Sequence, residues 1–190
     1  MIVRLAGFGG QGIVLAGYVL GRAGLLDGHT ALQTQSYGSE ARGGTCKSDV
    51  TISDQEILEL TPGMLDALVV LSQPAADKYL PNLNRDGLLL YDSDLVRPGQ
   101  TRAQQYGLPA TETANKAFGR GIVANMIMLG ALAALTGIVS PAALRQAVTE
   151  SVPPQAVELN LRALEWGLQR GGAPPSSTRG PREDERSADR

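Results

Sequence analysis

The sequence predicts an α/β protein with a Rossmann-like, doubly wound, mostly parallel sheet and helices on both faces. Three observations predict it. Apolar runs of strand length recur along the chain, stretches of helical periodicity alternate with them, and the first run leads straight into a glycine cluster that opens a helix. Runs that are apolar along their whole length suit strands covered on both sides, which is the parallel case.

Ile2-Val3-Arg4-Leu5-Ala6 is the first strand, and Ile13, Val14, Leu15, Tyr18, Val19 and Leu20 recur at helical spacing after the glycines. Residues 29–33 can form a second strand, and Asp49-Val50-Thr51-Ile52-Ser53 alternates as a half-buried strand does. Residues 66–72 and 87–92 are branched apolar runs bounded by turn residues, with a helix over 74–83 between them, Pro74 in its first turn and Gly87 past its end. Residues 114–135 read as one long helix stopped near Gly137. Ser140-Pro141 restarts the chain as an N-cap hydroxyl followed by proline at the first helical position, and a last helix covers about 155–168. Residues 1–170 form one domain. Residues 171–190 are Gly, Pro, Ser and unpatterned charge, which cannot bury enough apolar surface to offset ordering, so a disordered tail is expected.

A formal charge of −2 with scattered cations excludes a nucleic-acid face. The apolar run 122–139 is shorter than the roughly 20 residues of a membrane span and is broken by Asn125, Gly130 and Thr136. With no charged leader before the first strand, the expectation is a cytoplasmic protein that meets no membrane. One cysteine, Cys46, allows neither an internal disulfide nor a self-contained iron–sulfur or zinc site, so no metal ligands are assigned and any cluster must sit on another chain.

Gly7-Phe8-Gly9-Gly10-Gln11-Gly12 has the GxGxxG spacing at the end of a strand and the start of a helix. Unpaired N–H groups and the helix dipole there favour a phosphate or carboxylate. A free-standing NAD(P)-binding enzyme is one alternative, yet Leu32-Gln33-Thr34-Gln35-Ser36 offers neither the acid for a ribose nor an arginine for a 2′-phosphate. Close strand–helix packing is another. The next segment, Gln35-Ser36-Tyr37-Gly38-Ser39-Glu40-Ala41-Arg42-Gly43-Gly44, is too polar for a covered strand. If the second strand lies beside and parallel to the first, both loops emerge at the carboxyl edge, and Arg42 can add a bidentate cation to a bound anion.

The pair GFGGQG and QSYGSEARGG resembles the γ subunit of the 2-oxoacid:ferredoxin oxidoreductases, the group acting on pyruvate, 2-oxoglutarate, branched-chain 2-oxoacids and indolepyruvate. The likeness rests on Gly7, Gly9, Gly10, Gln11, Gly12, Ser36, Tyr37, Gly38, Glu40, Ala41, Arg42, Gly43 and Gly44, and extends over residues 2–168, with Leu71-Ser72, Asp92 and Asn125 where the family would have them. It implies oxidative decarboxylation of a 2-oxoacid to an acyl-coenzyme A with ferredoxin as electron acceptor. Thiamine diphosphate, magnesium and iron–sulfur clusters then belong to partner subunits: α and β, with a ferredoxin-like δ subunit as a further candidate. This chain shows no glycine-aspartate-glycine run followed by paired asparagines for thiamine, and is not expected to be active alone. Its implied share is assembly and help in binding coenzyme A through Gly7, Gly9, Gly10, Gln11, Gly12, Ser36, Tyr37, Glu40 and Arg42. No catalytic residue is assigned and the 2-oxoacid is unspecified. A purely structural assembly subunit is the remaining alternative.

Other residues have plain readings. Cys46 suits a small buried hydrophobe, and His29 after Asp27-Gly28 suits a turn. Glu40 and Arg42 can pair with each other or with a partner. Asn125 suits a buried hydrogen-bonding role, and Gly119, Gly121, Ala124, Gly130, Ala131, Ala133 and Ala134 allow a close helix approach that favours a subunit contact over packing within the chain.

Overall fold

The computed structural model describes residues 1–36 and 45–172. Six strands form one sheet: β1 (Ile2–Phe8), β2 (Thr30–Ser36), β3 (Thr45–Ser53), β4 (Leu65–Val70), β5 (Leu83–Asp92) and β6 (Gln104–Leu108). Their order is β2-β3-β1-β4-β5-β6. The helices are α1 (Ile13–Leu26), α2 (Gln73–Tyr79), α3 (Ala110–Phe118), α4 (Ala124–Thr136), α5 (Pro141–Ser151) and α6 (Pro154–Gly171). The α/β architecture read from the sequence is what the chain adopts.

The second strand is not beside the first. β3 lies between them, antiparallel to both, with Phe8 opposite Thr45 and Ser36 opposite Lys47. β4, β5 and β6 continue parallel to β1. Since β2 still runs in the direction of β1, the ends of both strands reach the same edge. Pairing partners are a non-local choice, and nothing in either strand's own residues shows that a third will come between them.

The expected helix over 114–135 is two helices. Gly119 sits at φ 70° and ends α3, and a 3₁₀ turn (Gly121–Val123) precedes α4. Left-handed backbone is glycine's region, so the break falls where the side chain is missing. The helix expected over 74–83 stops at Tyr79 and tightens into a 3₁₀ turn, Leu80–Asn82, around Pro81. At α5 the local reading holds: Ser140 Oγ accepts a bond from Ala143 N at 3.1 Å, and Pro141 follows it. α6 runs three residues past the expected 168, so Gly171 belongs to the helix; residues 173–190 of the expected tail lie outside the described residues. No helix among the described residues is long and apolar enough to cross a membrane.

The two sides of the sheet are covered unequally. Val3, Leu5, Val50, Val69 and Leu90 face a large core shared with α1, α4, α5 and α6. On the other side, among the described residues, Ala6, Leu68, Val70 and Leu89 pack with α2, the turn after it, and Val96 and Ala103 of the β5–β6 link. Within the larger layer α4 and α6 touch backbone to backbone. A Cβ at Gly130 would strike the carbonyl oxygen of Leu164, one at Gly167 that of Ile127, and one at Gly171 would stand 2.6 Å from the oxygen of Ala131. The small residues of α4 therefore serve packing inside the chain, against α6, where the sequence suggested a subunit contact.

Candidate functional site

The chain winds away from β1 in both directions, so the crevice between the β1–α1 and β4–α2 loops is the topological switch point where open α/β sheets bind ligands. The glycine motif lines it, and its residues divide into two kinds. Gly7 is inside β1, and a Cβ there would collide with the Gln11 amide; Gly12, at φ 71°, is the N-cap of α1 and lies against the Asn125 side chain. Both are required for packing. Among the described residues, Gly9 and Gly10 have nothing within 4 Å of an added Cβ, and Gly10 has φ 92°. The open surface of the loop is theirs.

Gln11 braces the crevice from within. Its Oε1 accepts the N–H of Phe8 at 2.6 Å, and its Nε2 donates to the carbonyl of Leu71, at the end of β4, at 2.8 Å. Both halves of the amide are thus engaged by backbone on either side of the switch point, so Gln11 shapes the loop. Asn125, buried at the start of α4, donates Nδ2 to the Gly12 carbonyl at 3.1 Å. The Asn125 Oδ1 and the hydroxyl of Ser72, next to Leu71, are buried without a protein partner among the described residues.

Ser36 ends β2 exposed at this edge. Tyr37, Gly38, Glu40, Ala41, Arg42, Gly43 and Gly44 lie outside the described residues, so the second motif enters the site only through its flanks, Ser36 and Thr45. Behind Thr45 stands a polar group that the sequence reading missed. Arg4, on β1, binds the Asp49 carboxylate with Nε at 2.5 Å and Nη2 at 3.0 Å, and Lys47 Nζ reaches it at 2.7 Å. The Arg4 guanidinium lies over the Tyr79 ring, 4.8 Å from its centroid, and Lys78 is 5.3 Å from the same ring. A charge inside an apolar strand run, with opposite charge in a neighbouring strand, was the signal available.

Asp92 closes the far end of β5. It is fully buried, and Oδ2 accepts from Thr111 N at 3.1 Å and Thr111 Oγ1 at 2.5 Å, while Oδ1 accepts from Asp94 N at 3.1 Å. Burial pushes its carboxyl above the ordinary range, opposed by the Thr111 bonds. It ties β5 to the start of α3, with Asp94 as a neighbouring acid whose charge also favours the protonated form of Asp92. His29 is at the opposite edge, 2.6 Å from Asp54. Cys46 is buried in β3, and desolvation raises its thiol.

An open, mostly parallel sheet with a glycine loop at its switch point defines a Rossmann-like α/β domain. The family model for pyruvate ferredoxin/flavodoxin oxidoreductase matches residues 2–170, and the chain belongs to that family. It is 47% identical over 175 residues to the 2-oxoglutarate synthase subunit KorC of Methanothermobacter thermautotrophicus, covering 88% of this chain and 93% of that one. Among solved structures it resembles the keto/oxoacid ferredoxin oxidoreductase γ subunit from Geobacter sulfurreducens, with TM-score 0.81, 45% identity and coverage of 90% and 97%. The 2-oxoglutarate:ferredoxin oxidoreductase from Magnetococcus marinus, solved with 2-oxoglutarate, coenzyme A and succinyl-CoA bound, shares the fold over 31% of its chain at TM-score 0.80 and 22% identity, covering 90% of this one. The γ-subunit resemblance drawn from the two motifs is borne out.

Proposed function

We propose that this chain is the γ subunit of a multi-subunit 2-oxoglutarate:ferredoxin oxidoreductase, in which it helps to hold coenzyme A and completes the assembly. The substrate follows the KorC relatives, which match this chain along nearly all of their length. Thiamine chemistry and electron transfer fall to α, β and ferredoxin-like subunits. The single cysteine, buried in β3, cannot ligate a cluster, and no described group of three acids, histidines or cysteines could hold a metal ion. Thiamine diphosphate on a partner supplies the decarboxylation, and this chain's contribution is a surface against which the acyl acceptor is held.

The observation that carries the coenzyme A reading is the backbone at Gly9 and Gly10, beside the N-terminus of α1 and unobstructed by side chains of the described residues. A dinucleotide enzyme fits less well. On the β2 side the strand beside β1 is antiparallel β3, so the position where a parallel second strand would end in a ribose-binding acid is taken by the start of β3.

Gly9→Val tests it, because the added Cβ meets no atom of the described residues within 4 Å. In the reconstituted complex the KM for coenzyme A should rise at least about tenfold, equal to ~1.4 kcal/mol, with subunit assembly and the KM for 2-oxoglutarate unchanged. Unchanged coenzyme A kinetics would leave the loop as a protein-contact element.

A further inference from the structure

At the edge of the sheet opposite the glycine loop, residues 54–64 link β3 to β4 as an irregular arm. Its Leu58 is 80% exposed and its Leu60 69%, more than any other large apolar side chain among the described residues; Met64, at the end of the arm, is 50% exposed. Single exposed leucines are ordinary, but two of them one residue apart on an extended segment form a patch of the kind that marks a protein contact. The backbone points the same way. Among the described residues, no backbone–backbone hydrogen bond holds 55–64, and the root is tied only by Gln55 N to Ser53 Oγ at 3.0 Å and by the His29–Asp54 contact. Amides and carbonyls without intramolecular partners are free to pair with another chain.

Charge selects the occupant. The arm carries Asp54, Glu56 and Glu59, all exposed, and no lysine or arginine between 54 and 64. A two-fold contact with a second copy would set these carboxylates against themselves, and an anionic lipid surface would repel them. We infer that residues 55–64 are a docking arm for another subunit of the oxidoreductase, with Leu58 and Leu60 entering an apolar groove whose rim is lined by Lys and Arg. This rests on the γ-subunit reading, and it places the main protein contact at the pole away from the coenzyme A loop.

The test uses the full chain co-expressed with the thiamine-binding and iron–sulfur subunits, and compares the wild type with Leu58→Ser/Leu60→Ser and with Glu56→Lys/Glu59→Lys. Both pairs are exposed, so thermal unfolding of the isolated variants should match the wild type. The serine pair should weaken assembly at least tenfold, and the lysine pair should slow association and remove its dependence on salt. Assembly of both variants at wild-type strength would overturn the inference and leave the γ-subunit reading intact. Failure of the wild type itself to assemble would overturn that reading instead. A change in self-association of the isolated chain, or loss of binding to anionic vesicles, with hetero-assembly intact would assign the arm to a second copy or to lipid and equally overturn the inference.

Discussion

The two faces of the sheet bury their surface by different means. On the α1/α4/α5/α6 side the contacts are mainly apolar, and where α4 meets α6 the side chains are removed so that backbone rests on backbone. On the α2 side one short helix covers the centre, and next to it the fold buries a bidentate Arg4–Asp49 pair with Lys47 beside it. The difference teaches where each face can tolerate change. The apolar layer is sensitive to volume, whereas the thin layer is sensitive to charge balance, because its carboxylate is shared by two cations away from water.

Removing that carboxylate should give the largest effect. Asp49→Ala leaves Arg4 buried without its counter-ion and should cost about 3–5 kcal/mol, seen as a lower denaturant midpoint at unchanged slope. The double replacement Arg4→Met/Asp49→Leu should recover most of it; if the double variant is as unstable as the single one, packing and not charge governs this face. Next comes the volume test. Gly167→Ala drives a methyl into the Ile127 carbonyl and should cost about 1–3 kcal/mol, although alanine is the better helix former. Thermal unfolding reads this directly, and a neutral or stabilising result would show that α6 can move away from α4 without loss.

The smallest effect concerns the buried acid at the end of β5. Since burial raises the Asp92 carboxyl, the folded chain holds its proton more firmly than the unfolded one, and this contribution to stability is lost as pH rises from the ordinary carboxylate range through the raised value. Asp92→Asn carries no ionisation. The stability difference, wild type minus variant, should therefore shrink as pH rises from about 4; denaturation curves at several pH values check the sign.

What was legible in the sequence was what is local. Ser140-Pro141 states its cap and first turn in adjacent residues, and the run into the glycines fixes β1 and the start of α1. β6 was missed because Gln104-Gln105-Tyr106-Gly107-Leu108 is an edge strand with only Tyr106 and Leu108 buried, too little apolar pattern to stand out. The place of β3 between β1 and β2 depends on partners far apart in the chain. In the site, Gly9 and Gly10 have no neighbour of an added Cβ among the described residues, while Gly7, Gln11 and Gly12 proved to have internal partners. Gln11 is instructive: among side chains at a glycine turn, an amide both donates and accepts, so it can join two strand ends that offer one N–H and one carbonyl.

The glycine contact between α4 and α6 has a mechanical side. With no side chains between them to change rotamer, the two helices cannot slide past each other by small steps. Tyr106 Oη also donates to the Arg170 carbonyl at 2.6 Å, which pins the last turn of α6 to the sheet's outer strand. The last helix among the described residues is thus a fixed strut, and whatever follows Gly172 departs from an anchored point and not from a fraying end.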